Sequence, residues 1–149
     1  MKGSWKSSAA AAFHLDRVLF SSIHYPVDYG FIPGSMMPDG DPLDIMIIVE
    51  EPTFPGCREK ARVIGVMRME DEGGVDDKLL AVSAVDARFC GINDLPDLQP
   101  HWLHEIENFF RTYKTLENKK IIVPGWGDLK QAMPLLIPSN QSQPNCSDV

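Results

Sequence analysis

Cysteine is scarce in this chain and badly spaced for structural work. Cys57, Cys90 and Cys146 are odd in number and scattered along 149 residues with no CxxC or Cys/His pattern, so neither a disulfide framework nor a zinc site is expected. Long apolar runs are absent too: nothing approaches the roughly 20 residues that cross a bilayer. The opening MKGSWKSSAAAAFH has too short an apolar core for a secretory signal, and with only Lys2 and Lys6 before Arg17 it makes a poor transit peptide. A cytoplasmic location without membrane contact is expected. Positive charge is the third shortage. There are 14 Lys and Arg against 21 Asp and Glu, a net charge of −7 and a pI near 5.0. Such a surface repels nucleic acid and anionic lipid unless divalent cations intervene, so no nucleic-acid partner is expected.

What the chain does have is enough apolar material for one core. Hydrophobic residues make up 44% of it, and a domain of this size buries about 70% of its unfolded surface. Residues 1–13 show no period and suggest a loose terminus. LDRVLFSSIHYP (15–26) has the composition of a strand with a bend. VDYGFIPGSMMPDGDP (27–42), rich in proline and glycine, suggests a compact loop. IMIIV (45–49) has the length and composition of a buried strand, and ARVIGVMRM (61–69) is a strand whose Gly65 suggests a bulge or barrel bend. EDEGGVDD (70–77) resembles an acidic hairpin loop leading into the strand KLLAVSAV (78–85). Leu103, Ile106, Phe110 and Tyr113 then recur at helical spacing from Pro100 onward. IIV (121–123) offers a last strand, and the proline-broken end turns polar. Short strands joined by tight turns, with one amphipathic helix, predict a mainly β barrel or sandwich.

Acidity is concentrated on this frame. Asp39, Asp41 and Asp44 form D-x-D-x-x-D at the mouth of IMIIV, and Asp71 and Asp76 lie in the next strand-connecting acidic loop. Taken singly, each is an ordinary turn aspartate that caps its own backbone. As a set facing one cavity they would repel one another unless cations offset the charge. Mg²⁺ takes such oxygen ligands and usually keeps several waters. An EF-hand is excluded by Leu43 and Asp44, where the loop needs a ligand and a glycine. Arg17, Lys78 and Lys114 could hold phosphoryl oxygens, with Tyr25, Tyr29 and Tyr113 as neutral donors, but only if they come together. Alone, Tyr113 suits a core and Lys114 a solvated surface. His101 and His104 have no third partner and suggest a surface pair.

DGDPLDIM, with HYPVDYGFIP before it and MEDEGGVDDKLLAV and FFRTYK after it, resembles the soluble family I inorganic pyrophosphatases of plant-like and bacterial type, from about Leu15 to Lys120. The resemblance implies an OB-type five-stranded β-barrel with a helix packed outside, and hydrolysis of diphosphate. It implies that Asp39, Asp44, Asp71 and Asp76 ligate Mg²⁺, Asp44 being shared, and that Asp41 accepts the proton of the attacking water. Arg17, Lys78, Tyr113 and Lys114 would hold phosphoryl oxygens, with Tyr29 at the substrate and Tyr25 at its edge. A homo-oligomer, dimer or hexamer, is also implied.

One family feature is missing. Members carry a Lys-x-Glu pair on an earlier strand, and counting back from Arg17 lands on Gly3 and Trp5. The expectation is therefore a pyrophosphatase domain over 15–132, an unstructured or divergent segment 1–14 with N-terminal barrel strands missing, and a disordered tail 133–149. Activity is expected to be reduced. The alternative is a catalytically impaired metal-binding paralogue, or a truncated product, that assembles with a full-length relative.

Overall fold

The computed structural model describes the backbone of residues 3–7, 13–37 and 39–136, and the side chains of 19–37 and 39–136. A strand β1 (Gly3–Ser7) pairs antiparallel with β2 (Phe13–Val18), Ser4 lying opposite Arg17 and Ser7 opposite Phe13. The segment expected to be a loose terminus thus contains a strand. It falls where the counted-back Lys-x-Glu strand would be, with Gly3 and Trp5 at those two positions.

The main sheet is built from β3 (Asp28–Phe31), β4 (Asp44–Ile48), β5 (Ala61–Asp71), β6 (Gly74–Val75), β7 (Lys78–Ser83) and β8 (Ile122–Asp128). Its order is β3-β4-β7-β5-β6, and β8 also pairs with β5. All pairings are antiparallel except β4 with β7. Strand β3 lies inside the stretch expected to be loop. Strands β4, β5 and β7 fall where apolar runs predict them, β2 covers only the start of the expected 15–26 strand, β6 lies inside the expected acidic loop, and β8 runs five residues beyond Val123.

Strand β7 explains its own composition. Leu80 and Val82 face one core cluster, with Met46, Ile48, Met67 and Met69, while Leu79 and Ala81 face a second, with Leu43, Ile45 and Val66. A strand covered on both faces requires an uninterrupted apolar run. Strand β5 shifts register between Val63 and Gly65, the expected bulge. A Cβ on Gly65 would come within 2.7 Å of the Gly127 carbonyl oxygen and 3.0 Å of Leu95 Cδ1, so β8 can approach only a glycine there.

Helix α1 (Pro100–Thr112) starts at the expected proline and buries Ile106, Phe109 and Phe110 against the first cluster. Arg111 Nη2 donates to the Val123 carbonyl at 2.8 Å and to Glu107 Oε1 at 2.5 Å, and Trp126 Nε1 donates to Glu107 Oε2 at 3.4 Å. These contacts fasten α1 to β8. A short helix α2 (Leu129–Ala132) is capped by Asp128, whose carboxylate accepts from Gln131 N at 3.0 Å. Met133–Leu136 form a 3-10 turn, so the expected tail begins with ordered backbone. Its remainder, 137–149, lies outside the described residues. Arg62, 5% exposed, donates to the Phe89 and Ile92 carbonyls and holds the loop between β7 and α1.

Candidate active site

Strand period places the site. In the parallel β4–β7 pair Ile45 lies opposite Leu79, so the residues just before them, Asp44 and Lys78, stand together at the same end of the two strands. Alternation puts both on the face of Met46 and Leu80, in the cluster that α1 covers. Tyr29 lies opposite Met46 on β3 and shares that face. On β5 the same alternation carries Met67, Met69 and then Asp71 to this side. Asp76, two residues before Lys78, joins them, its N–H donating to the Met69 carbonyl at 2.8 Å.

The side chains meet accordingly. Lys78 Nζ donates to Asp44 Oδ2 at 2.8 Å and to Asp76 Oδ1 at 3.0 Å, and Tyr29 OH donates to the same Asp44 oxygen at 2.5 Å. The Lys78 side chain is only 3% exposed, against 32% for Asp44 and 35% for Asp76. The end of α1 supplies the other side. Lys114, which follows the helix, lies 3.5 Å from Asp71 Oδ2 through its Nζ, while Asp71 Oδ1 accepts from Gly73 N at 2.8 Å. Tyr113 is buried and stacks on Phe109 at 5.4 Å between centroids, and the Tyr25 ring lies 5.3 Å from Tyr29.

The electrostatics follow from this crowding. Burial raises the proton affinity of Asp76; Lys78 opposes the rise, and Asp44 and Asp71 add to it. Tyr29 is pushed well above the ordinary phenol range, first by burial and then by Asp44, so it is a neutral donor at pH 7. Asp44, Asp71 and Asp76 are all hard oxygen donors, the kind that fit a hard divalent cation. Lys78 pairs with Asp44 and Asp76, and Lys114 with Asp71. Among the described residues no group of three or more His, Cys, Asp or Glu side chains is drawn together tightly enough to form a metal cage.

Not every expected residue joins this cluster. Asp39 and Asp41 are exposed in the loop before β4, where Asp41 N donates to Asp39 Oδ1 at 3.0 Å and Met37 N to the Asp41 carbonyl at 2.8 Å. Gly40, at φ 87°, makes that tight turn possible. Among the described residues no hydrogen bond or ion pair joins either aspartate to Asp44, Asp71, Asp76 or Lys78. Arg17 is placed on β2 by its backbone, and its side chain lies outside the described residues. His101 pairs with Glu105 at 2.9 Å on the helix surface, as expected of an exposed pair.

Sequence reasoning missed two residues that hold the acidic hairpin. Asp77 points to the opposite face from Asp76, where it accepts from Arg68 Nη1 at 2.6 Å and from Met69 N at 3.2 Å. The available signal was the period of two, which separates the neighbours in VDDK. A second concavity, lined by Glu50, Glu59, Asp86 and Arg88, lies apart from this cluster. Its one cation is already paired with Asp86 at 2.7 Å.

The family model described as inorganic pyrophosphatase matches residues 5–142, beginning inside β1. The chain is 52% identical over 125 residues to an inorganic pyrophosphatase of Nostoc sp., covering 84% of this chain and 74% of that one. It is 51% identical to the Synechocystis sp. protein of the same name, covering 83% and 73%. Among solved structures, the inorganic pyrophosphatase of Helicobacter pylori superposes with a TM-score of 0.86 at 37% identity, covering 91% of this chain and 82% of that one. The Thermus thermophilus enzyme superposes with 0.85 at 40%, covering 90% and 79%. The architecture is accordingly the OB-type barrel with a packed helix that the sequence motifs implied. On family model, sequence identity and fold together, this chain belongs to the inorganic pyrophosphatase family.

Proposed function

We propose that this chain hydrolyses diphosphate to two phosphates with Mg²⁺ as its cation, and that residues 15–132, which lie inside the family match, carry the reaction. The observation that best supports this is the buried Lys78 ammonium held by Asp44 and Asp76 at the ends of β4 and β7. It engages two of its three N–H donors there, which leaves one for a phosphoryl oxygen. Lys114 and Tyr113 approach from the helix end and Tyr29 from β3, with Tyr25 at the edge; Arg17, on β2, is the further phosphoryl donor that this reading assigns. Such donors stabilise charge that spreads over phosphoryl oxygens as the anhydride breaks.

Asp39, Asp44, Asp71 and Asp76 are the residues that would hold Mg²⁺. When bound, the cation supplies Lewis acidity and lowers the pKa of water toward neutrality. The part of Asp41 is to take the proton of the attacking water; its exposure in the loop before β4 gives it access to solvent. The lysines then favour the phosphate dianion that leaves. A cytoplasmic homo-oligomer, dimer or hexamer, accompanies this reading, and no helix among the described residues is long and apolar enough to cross a membrane.

A non-catalytic metal-binding subunit is not favoured, because the matched relatives are named as the enzyme across most of their length. Phosphate release from diphosphate in the presence of Mg²⁺, compared with Asp41→Asn, tests the proposal. Turnover that falls roughly 10²-fold or more in the variant is expected for loss of a general base. Equal rates in the two proteins would overturn it.

A further inference from the structure

Four of the side chains assigned to substrate touch one ring that has no polar atom of its own. Phe110, 1% exposed, lies with its ring centroid 5.5 Å from Tyr113, 6.1 Å from Tyr29 and 6.5 Å from Tyr25. Lys78 Nζ lies 5.9 Å from the same centroid and 5.4 Å from the Tyr29 ring. Phe109 closes the group edge-on to Phe110 at 5.1 Å. The chain has only three tyrosines, and all three pack against Phe110. Tyr29 and Lys78 converge in turn on Asp44 Oδ2.

We infer that Phe110 is a positioning residue for the reaction, the shared backstop that sets Lys78, Tyr29, Tyr113 and Tyr25 at fixed spacing around the substrate. Two physical effects support it. Tilted and edge-on aromatic contacts have preferred geometries and add stabilisation beyond area burial, so each tyrosine ring is oriented as well as buried. An ammonium within about 6 Å of a ring is drawn to its face, and Lys78, nearly free of solvent, feels that attraction little screened. An aliphatic side chain of similar volume fills the space and offers neither effect. The placement also joins elements that are far apart in sequence. Phe110 on α1 touches Tyr29 on β3 and Lys78 on β7, so the helix sets the spacing of two strands' functional groups.

The inference rests on the diphosphatase reading. The test compares Phe110→Leu with Phe89→Leu, the same change in the same core cluster at a residue with no part in the site. Both variants should lower the melting temperature. Phe110→Leu should lower kcat roughly tenfold to hundredfold, the order expected when reacting groups are displaced by about 1 Å, with a smaller change in KM. Phe89→Leu should leave both constants near wild type. With ring-labelled tyrosine, NMR should show all three tyrosine signals moved in Phe110→Leu and none in Phe89→Leu. If Phe110→Leu does not fold, Phe110→Met, which also lacks a ring and adapts its shape, should give the same result. A folded Phe110 variant with wild-type kcat overturns the inference alone, as does one whose tyrosine signals stay in place. A wild type without turnover overturns the diphosphatase reading, and the inference with it.

Discussion

Asp44 and Lys78 occupy equivalent ends of two parallel strands, and the Lys78 ammonium is held 2.8 Å from the Asp44 carboxylate by backbone register more than by side-chain choice. Because Lys78 also reaches Asp76, it occupies the space between two carboxylates proposed as metal ligands. Replacing it with methionine should have two effects of opposite sign. Diphosphate turnover should fall about 10²- to 10³-fold, as when one preorganised donor to developing charge is lost. Mg²⁺ affinity measured without substrate should rise, since the two carboxylates lose the cation that competes for them. Calorimetric titration beside a turnover assay checks both. Unchanged turnover would remove Lys78 from the substrate site.

Gly65 gives a prediction about the scaffold. Alanine at this position brings a methyl group to 2.7 Å from the Gly127 carbonyl oxygen, and backbone cannot give way as a flexible side chain can. Gly65→Ala should cost about 1–3 kcal/mol by overpacking the β5–β8 contact. Denaturant unfolding should show a lower midpoint with little change in slope. An unaltered midpoint would mean that β8 shifts freely against β5.

The turn before α1 gives a pH prediction. Asp97 Oδ2 accepts from Asn93 N and Asp94 N, each at 2.9 Å, and these backbone donors hold its carboxyl below the ordinary range. A carboxyl whose pKa is lower folded than unfolded contributes stability above the unfolded value, near 3.9. That contribution disappears as pH falls through the folded value. Wild type should therefore lose stability relative to Asp97→Asn below about pH 4, and their difference should be constant from pH 5 to 8. Melting curves across that range decide it.

Much of the site could be read from the chain because it lies where strands begin and end. The apolar run after Asp44 and the one after Lys78 fixed two strands, and the motif resemblance tied their ends to phosphate chemistry. The spacing of Ile106, Phe110 and Tyr113 revealed the helix, although Phe109 is also buried and the buried face is wider than that stripe. What escaped was local pattern too weak to read. Strand β3 has four residues, one of them glycine, all half-buried, so neither alternation nor an apolar run marks it. GSWKS forms β1 without any hydrophobic period, its strand state supplied by pairing with β2. Asp76 and Asp77 are adjacent and chemically identical, and only the pleat sends one to Lys78 and the other to Arg68. Spacing groups Asp39 and Asp41 with Asp44, but the turn at Gly40 that sets where the loop carries them is not given by spacing alone.

The double covering of β7 has a consequence for motion. Leu79, Leu80, Ala81 and Val82 are fully buried, and amides in such a strand exchange with solvent only when the whole core opens. Lys78 begins this strand, so its ammonium is anchored to the least yielding part of the molecule. That ammonium has no local route to loosen, and the folded population and the Lys78–Asp44–Asp76 cluster should be lost in a single cooperative event.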